Sequence, residues 1–111
     1  MIISMVKDNC KKDFSGKWKY SDLATEELFV VRTKKKQLEY TENGKYYYEF
    51  EIKWLSSCQY QAIYKGTNSP TPAYARIGEI NTITILEIDG DRMKYHSKIR
   101  DIEEVGEMTR I

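Results

Sequence analysis

Residues 46 to 54, YYYEFEIKW, alternate between two kinds of side chain. Tyr46, Tyr48, Phe50, Ile52 and Trp54 share one face; Tyr47, Glu49, Glu51 and Lys53 share the other. A period of two belongs to a strand with one buried and one wet face. Asn43-Gly44, just before it, signals a hairpin. A two-residue loop of that pair would set Tyr48 against Glu39 and Tyr46 against Thr41, an apolar face against a polar one. A three-residue loop, Glu42-Asn43-Gly44, instead pairs Tyr46 with Tyr40 and Tyr48 with Leu38, and this is the expected register.

The same reasoning extends along the chain. In KWLSSCQYQAIY, a loop of Leu55-Ser56-Ser57 pairs Trp54 with Cys58, Ile52 with Tyr60 and Phe50 with Ala62, which places Cys58 inward at the rim of the sheet. In ITILEIDGDRMKYHS, a two-residue Asp89-Gly90 turn pairs Leu86 with Met93 and Thr84 with Tyr95 on one face. Glu87 then meets Arg92, and Ile83 meets His96, on the other. Further strands are expected near Lys17–Ser21, Leu28–Thr33 and Gly106–Ile111, with a helical turn over residues 22–28 capped by Ser21. The stretch from Gly66 to Gly78 holds both prolines and reads as the one long irregular segment. The result is an all-β fold, an antiparallel up-and-down meander of seven or eight strands. Closing it into a small barrel removes both edges.

Composition supports this and narrows the function. A chain of 111 residues is one domain by size, with residues 1–12 read as an N-terminal arm and 13–111 as the barrel. Nine Tyr, two Trp and three Phe favour strands. The formal charge of +1 is low for a nucleic-acid binder. The initial MIISMV is apolar for too few residues to be a signal sequence, and reads as the stub of a leader or an N-terminal extension. Membrane contact is expected only through a leader that these residues do not supply. The two cysteines, Cys10 and Cys58, are either separate buried thiols or a disulfide that requires an oxidising compartment.

Two resemblances add to this reading. Gly16-Lys17-Trp18 at the start of a β-meander resembles the opening of lipocalin-like barrels, in which the Trp plugs the closed end and an Arg of the last strand packs over it; Arg110 stands where that Arg is expected. The middle Thr-Asp-Tyr element of lipocalins has no counterpart. A longer resemblance runs from Cys10 through FSGKWKY, Glu51-Ile52-Lys53-Trp54, Ser57-Cys58-Gln59-Tyr60 and ILEIDGDRMKYHS to the terminal Glu107-Met108-Thr109-Arg110-Ile111. It is to a group of small Bacteroidota envelope proteins that often carry a lipoprotein leader. Some bear a topoisomerase IV label, although this chain has neither a nucleotide loop nor a basic groove to support one. The resemblance implies a periplasmic or envelope location and a Cys10–Cys58 disulfide; free cysteines would point to the cytoplasm.

Candidate chemistry is sparse. His96 is the single histidine, with Ile83 and Ile85 as its expected cross-strand neighbours, so no triad can be assembled around it. Glu49 and Glu51 read as a wet strand face. Two Cys and one His make a poor zinc site, and no cofactor, metal or catalytic residue is expected. Lys34-Lys35-Lys36 beside the outward Tyr47 could serve single-stranded nucleic acid, but glutamates flank it. The aromatic face is the remaining candidate. Trp18, Tyr46, Tyr48, Phe50, Trp54, Tyr60, Tyr64 and Tyr95 are the candidate ligand-binding residues if the barrel has a cavity. A barrel of short strands can instead be filled by its own side chains. The expected function is therefore a non-enzymatic envelope domain with a filled core, binding a protein partner through the segment from Gly66 to Gly78 or a sheet edge. The alternative is a lipocalin-like carrier of a small apolar ligand.

Overall fold

The computed structural model describes residues 10–22, 24, 27–71 and 75–111. Eight antiparallel strands close into a barrel in sequence order. They are β1 (Gly16–Tyr20), β2 (Leu28–Arg32), β3 (Lys36–Thr41), β4 (Tyr46–Ser56), β5 (Gln59–Thr67), β6 (Ile80–Asp89), β7 (Arg92–Ile99) and β8 (Ile102–Arg110). A one-turn helix, α1 (Cys10–Asp13), precedes them. The expected all-β meander is thus closed, with β1 pairing β8 from Trp18↔Arg110 to Tyr20↔Met108. Residues 1–9 of the expected arm, residues 23, 25 and 26 of the expected helical turn, and residues 72–74 of the long loop lie outside the described residues.

All three hairpin registers differ from expectation, each for a local reason. Between β3 and β4 the pairs are Thr41↔Tyr46, Glu39↔Tyr48 and Gln37↔Phe50. Tyr48 therefore faces Glu39 and not Leu38. The loop spans residues 42–45, with positive φ at Glu42, Asn43 and Gly44. Gln37 and Glu39 consequently point inward, while Phe29, Tyr40 and Tyr47 form an outer aromatic cluster, with Phe29 stacked on Tyr40 at 5.0 Å.

Between β4 and β5 an irregularity at Leu55 moves the turn to Ser57-Cys58, so Trp54 pairs with Tyr60 and not with Cys58. The shift is by two residues, which keeps the faces as expected: Ile52 lies opposite Ala62 and Phe50 opposite Tyr64. Between β6 and β7 the turn is Gly90-Asp91, and a bulge at Leu86 resets the pairing. Ile88 meets Met93 in place of Leu86, Ile85 meets Tyr95 in place of Thr84, and His96 lies opposite Thr84. The bulge turns both Leu86 and Glu87 outward and lets Ile83, Ile85 and Ile88 all reach the interior.

One end of the barrel is packed shut. Trp18 is fully buried, and its Nε1 donates to the Phe14 carbonyl at 2.9 Å. The Arg110 guanidinium lies 4.2 Å from the Trp18 ring centre and donates to the Ser15 and Asp13 carbonyls at 2.8 and 2.7 Å. This is the closure expected from Gly16-Lys17-Trp18 and Arg110. Gly16 is needed for it: its φ is +127°, and a Cβ there would stand 2.7 Å from Arg110 Nη1. The Phe14 ring packs edge-on against Trp54 and Tyr60 at 5.0 and 4.9 Å. The Cys10–Cys58 disulfide ties α1 to the β4–β5 turn, with the two Cα atoms 5.1 Å apart.

Candidate ligand cavity

The other half of the barrel holds a half-open pocket of about 960 Å³. The strands are longer than the five or six residues expected, β4 to β8 running 8–11 residues, and the packed plug occupies one end. The apolar walls come from Phe50, Ala62, Ile83 and Ile99, with Leu28, Tyr20 and Ile102 at the mouth. Along one side β1 stops at Tyr20 while β8 begins at Ile102. Among the described residues no strand covers that length of β8, and Glu104, Val105, Gly106 and Glu107 border the cavity there.

The floor is polar. Arg32 is 6% exposed and donates from Nε to Gln37 Oε1 at 3.0 Å and from Nη2 to the Tyr60 hydroxyl at 3.4 Å. Gln37 in turn donates from Nε2 to Glu39 Oε2 at 2.9 Å. The Arg32 guanidinium rests over the Phe14 ring at 4.7 Å, so the plug supports the floor from below. Two buried polar atoms, Arg32 Nη1 and Asn81 Oδ1, have no hydrogen-bond partner among the described residues. Native interiors rarely leave such atoms unpaired.

Burial shifts the acids of this site upward. The Glu39 carboxyl is raised by desolvation, and Arg32 and the Gln37 hydrogen bond only partly offset this. Tyr60 is raised by the same cause. Desolvation pushes Tyr95 up to about 12; its ring packs over Gly106, where a Cβ would collide with the phenol. A carboxyl whose folded pKa lies above its unfolded value stabilises the fold fully below the unfolded value. That contribution is lost as pH climbs through the folded pKa. Glu39→Gln keeps an acceptor for Gln37 and removes the loss. The variant is expected to melt above the native protein at pH 7–8, with the difference shrinking toward pH 4, as read by thermal denaturation across that range.

Of the eight candidate ligand-binding residues, Phe50, Tyr60 and Tyr95 line the cavity. Trp18 lies outside the lining, packed under Arg110 in the plug. Trp54 packs on Phe14 and donates from Nε1 to the Lys34 carbonyl at 3.0 Å. Tyr46, Tyr48 and Tyr64 share the inner face but fall outside the lining; Tyr64 packs on Phe50 at 5.4 Å. Sequence reasoning missed Arg32, Gln37, Glu39 and Asn81. The signal for Gln37 and Glu39 was the Asn43-Gly44 register, set aside because it brought polar residues inward.

The other candidates for chemistry lie on the surface. His96 sits on the outer face, 2.9 Å from Glu103. Lys36 is 3.5 Å from Glu49. Among the described residues no helix is long and apolar enough to cross a membrane. No protein-family model matches the chain, and no curated protein or solved structure matches it.

Proposed function

We propose that the protein is a non-enzymatic carrier that holds a small amphipathic molecule inside a lipocalin-like barrel. The observation that carries this reading is the cavity of about 960 Å³, walled by apolar side chains over a polar floor. A few convergent polar groups in an apolar pocket of this size are the usual form of a small-molecule site. The Trp18–Arg110 closure supports the lipocalin-like assignment, because it packs one end of the barrel and stays outside the pocket lining. The Cys10–Cys58 disulfide is compatible with an oxidising envelope compartment, the setting of the small Bacteroidota proteins that the sequence resembles.

A protein-interaction role is the second reading, and one surface favours it. Val105 and Ile102 are 69% and 52% exposed on the length of β8 that no described strand covers. An uncovered strand with apolar side chains is a place where another chain can add on.

N-phenyl-1-naphthylamine, an uncharged dye that brightens in apolar surroundings, separates the two. The carrier reading expects saturable micromolar binding. A folded protein, by circular dichroism, that gives no saturable signal would overturn it and leave the interaction role ahead.

A further inference from the structure

We infer that the cavity selects an amphipathic carboxylate and seats its acid group at Arg32, with the hydrocarbon chain toward the mouth. The inference rests on the carrier reading and specifies the charge and orientation of the ligand. Arg32 is a buried cation whose hydrogen bonds go to neutral partners, the Gln37 amide and the Tyr60 hydroxyl. Among the described residues no carboxylate forms an ion pair with it. A buried guanidinium with no direct ion pair is costly, and the nearby Glu39 and the Phe14 ring face offset only part of that cost.

Glu39 is the acid on the floor, and its hydrogen bond is spent on Gln37. Burial also favours its uncharged form. Arg32 therefore retains Nη1 as a donor without a partner, beside Nη2 on the same planar fork. An incoming carboxylate supplies both a direct ion-pair partner and the missing acceptor. Nη1 is buried, so the guanidinium meets the acid by turning over the flat Phe14 ring. Phe50, Ala62, Ile83 and Ile99 then cover the chain. Of the other acids lining the pocket, Glu107 pairs with Arg92, while Asp22 and Glu104 are exposed to water, where salt screens them.

Three probes of one chain length test this at pH 7.5: dodecanoate, dodecan-1-ol and dodecylammonium, each displacing N-phenyl-1-naphthylamine. Charge-assisted hydrogen bonds are about twice as strong as neutral ones, so dodecanoate is expected to displace the dye at a midpoint about tenfold below the alcohol. The amine should be weakest. Arg32→Met should bring dodecanoate to parity with the alcohol while the dye still binds, and Arg32→Lys should keep the order. Equal midpoints in the native protein, or an advantage for the amine, would overturn the inference and leave the carrier reading standing. Absence of saturable dye binding would remove both. The native ordering decides the matter even if Arg32→Met does not fold.

Discussion

Cys58→Ser is expected to destabilise the fold by about 4 kcal/mol on chain-entropy grounds, because the Cys10–Cys58 bond closes a loop of 48 residues. For a domain of this size that is a fall in melting temperature of roughly 15 °C or more. The loss should be largest at the plug, since the bond anchors α1, which leads into Phe14 under Arg32. Dithiothreitol should lower the melting temperature of the native protein similarly and leave Cys58→Ser unchanged. A native protein whose melting temperature ignores reductant would show that the bond contributes little or is not formed in solution.

Trp18→Ala should cost about 3–5 kcal/mol, the usual range for truncating a fully buried Trp. The loss has three sources: the cavity left in the plug, the Phe14 carbonyl that loses its Nε1 donor, and the Arg110 guanidinium that loses its ring. Arg110 would then hold Asp13 and Ser15 without the surface that positions it. Together with Cys58→Ser the sum reaches about 8 kcal/mol, as much as the total stability of many domains of this size. The double variant is therefore expected to be unfolded at 25 °C by circular dichroism. A cooperative thermal transition in the double variant would mean that α1 and the Trp18 plug contribute less than their burial implies.

The two halves of the barrel were legible in the sequence to different degrees, for a physical reason. The plug obeys the rule that apolar side chains go inward. The alternation from Tyr46 to Trp54 and the Gly16-Lys17-Trp18 motif with Arg110 could therefore be read directly. The cavity floor breaks that rule. Gln37 and Glu39 face inward in a chain of bonds, Arg32 donating to Gln37 and Gln37 to Glu39, and a register chosen to match apolar with apolar excludes that arrangement. The bulge at Leu86 has a similar effect in β6, since one extra residue turns the pattern over and leaves no mark in composition. At Leu55 the slip was by two residues, so the faces survived although the partners did not.

The central claim is that the interior has room for a ligand, and Ala62→Phe tests it most directly. Ala62 is 3% exposed and lines the cavity, so a phenyl ring there would occupy the space that a ligand would take. In a close-packed core, forcing in a ring costs about 1–3 kcal/mol or more. The account predicts that Ala62→Phe folds with an unchanged or higher melting temperature and loses N-phenyl-1-naphthylamine binding. A variant that melts well below the native protein, or that still binds the dye as tightly, would contradict it.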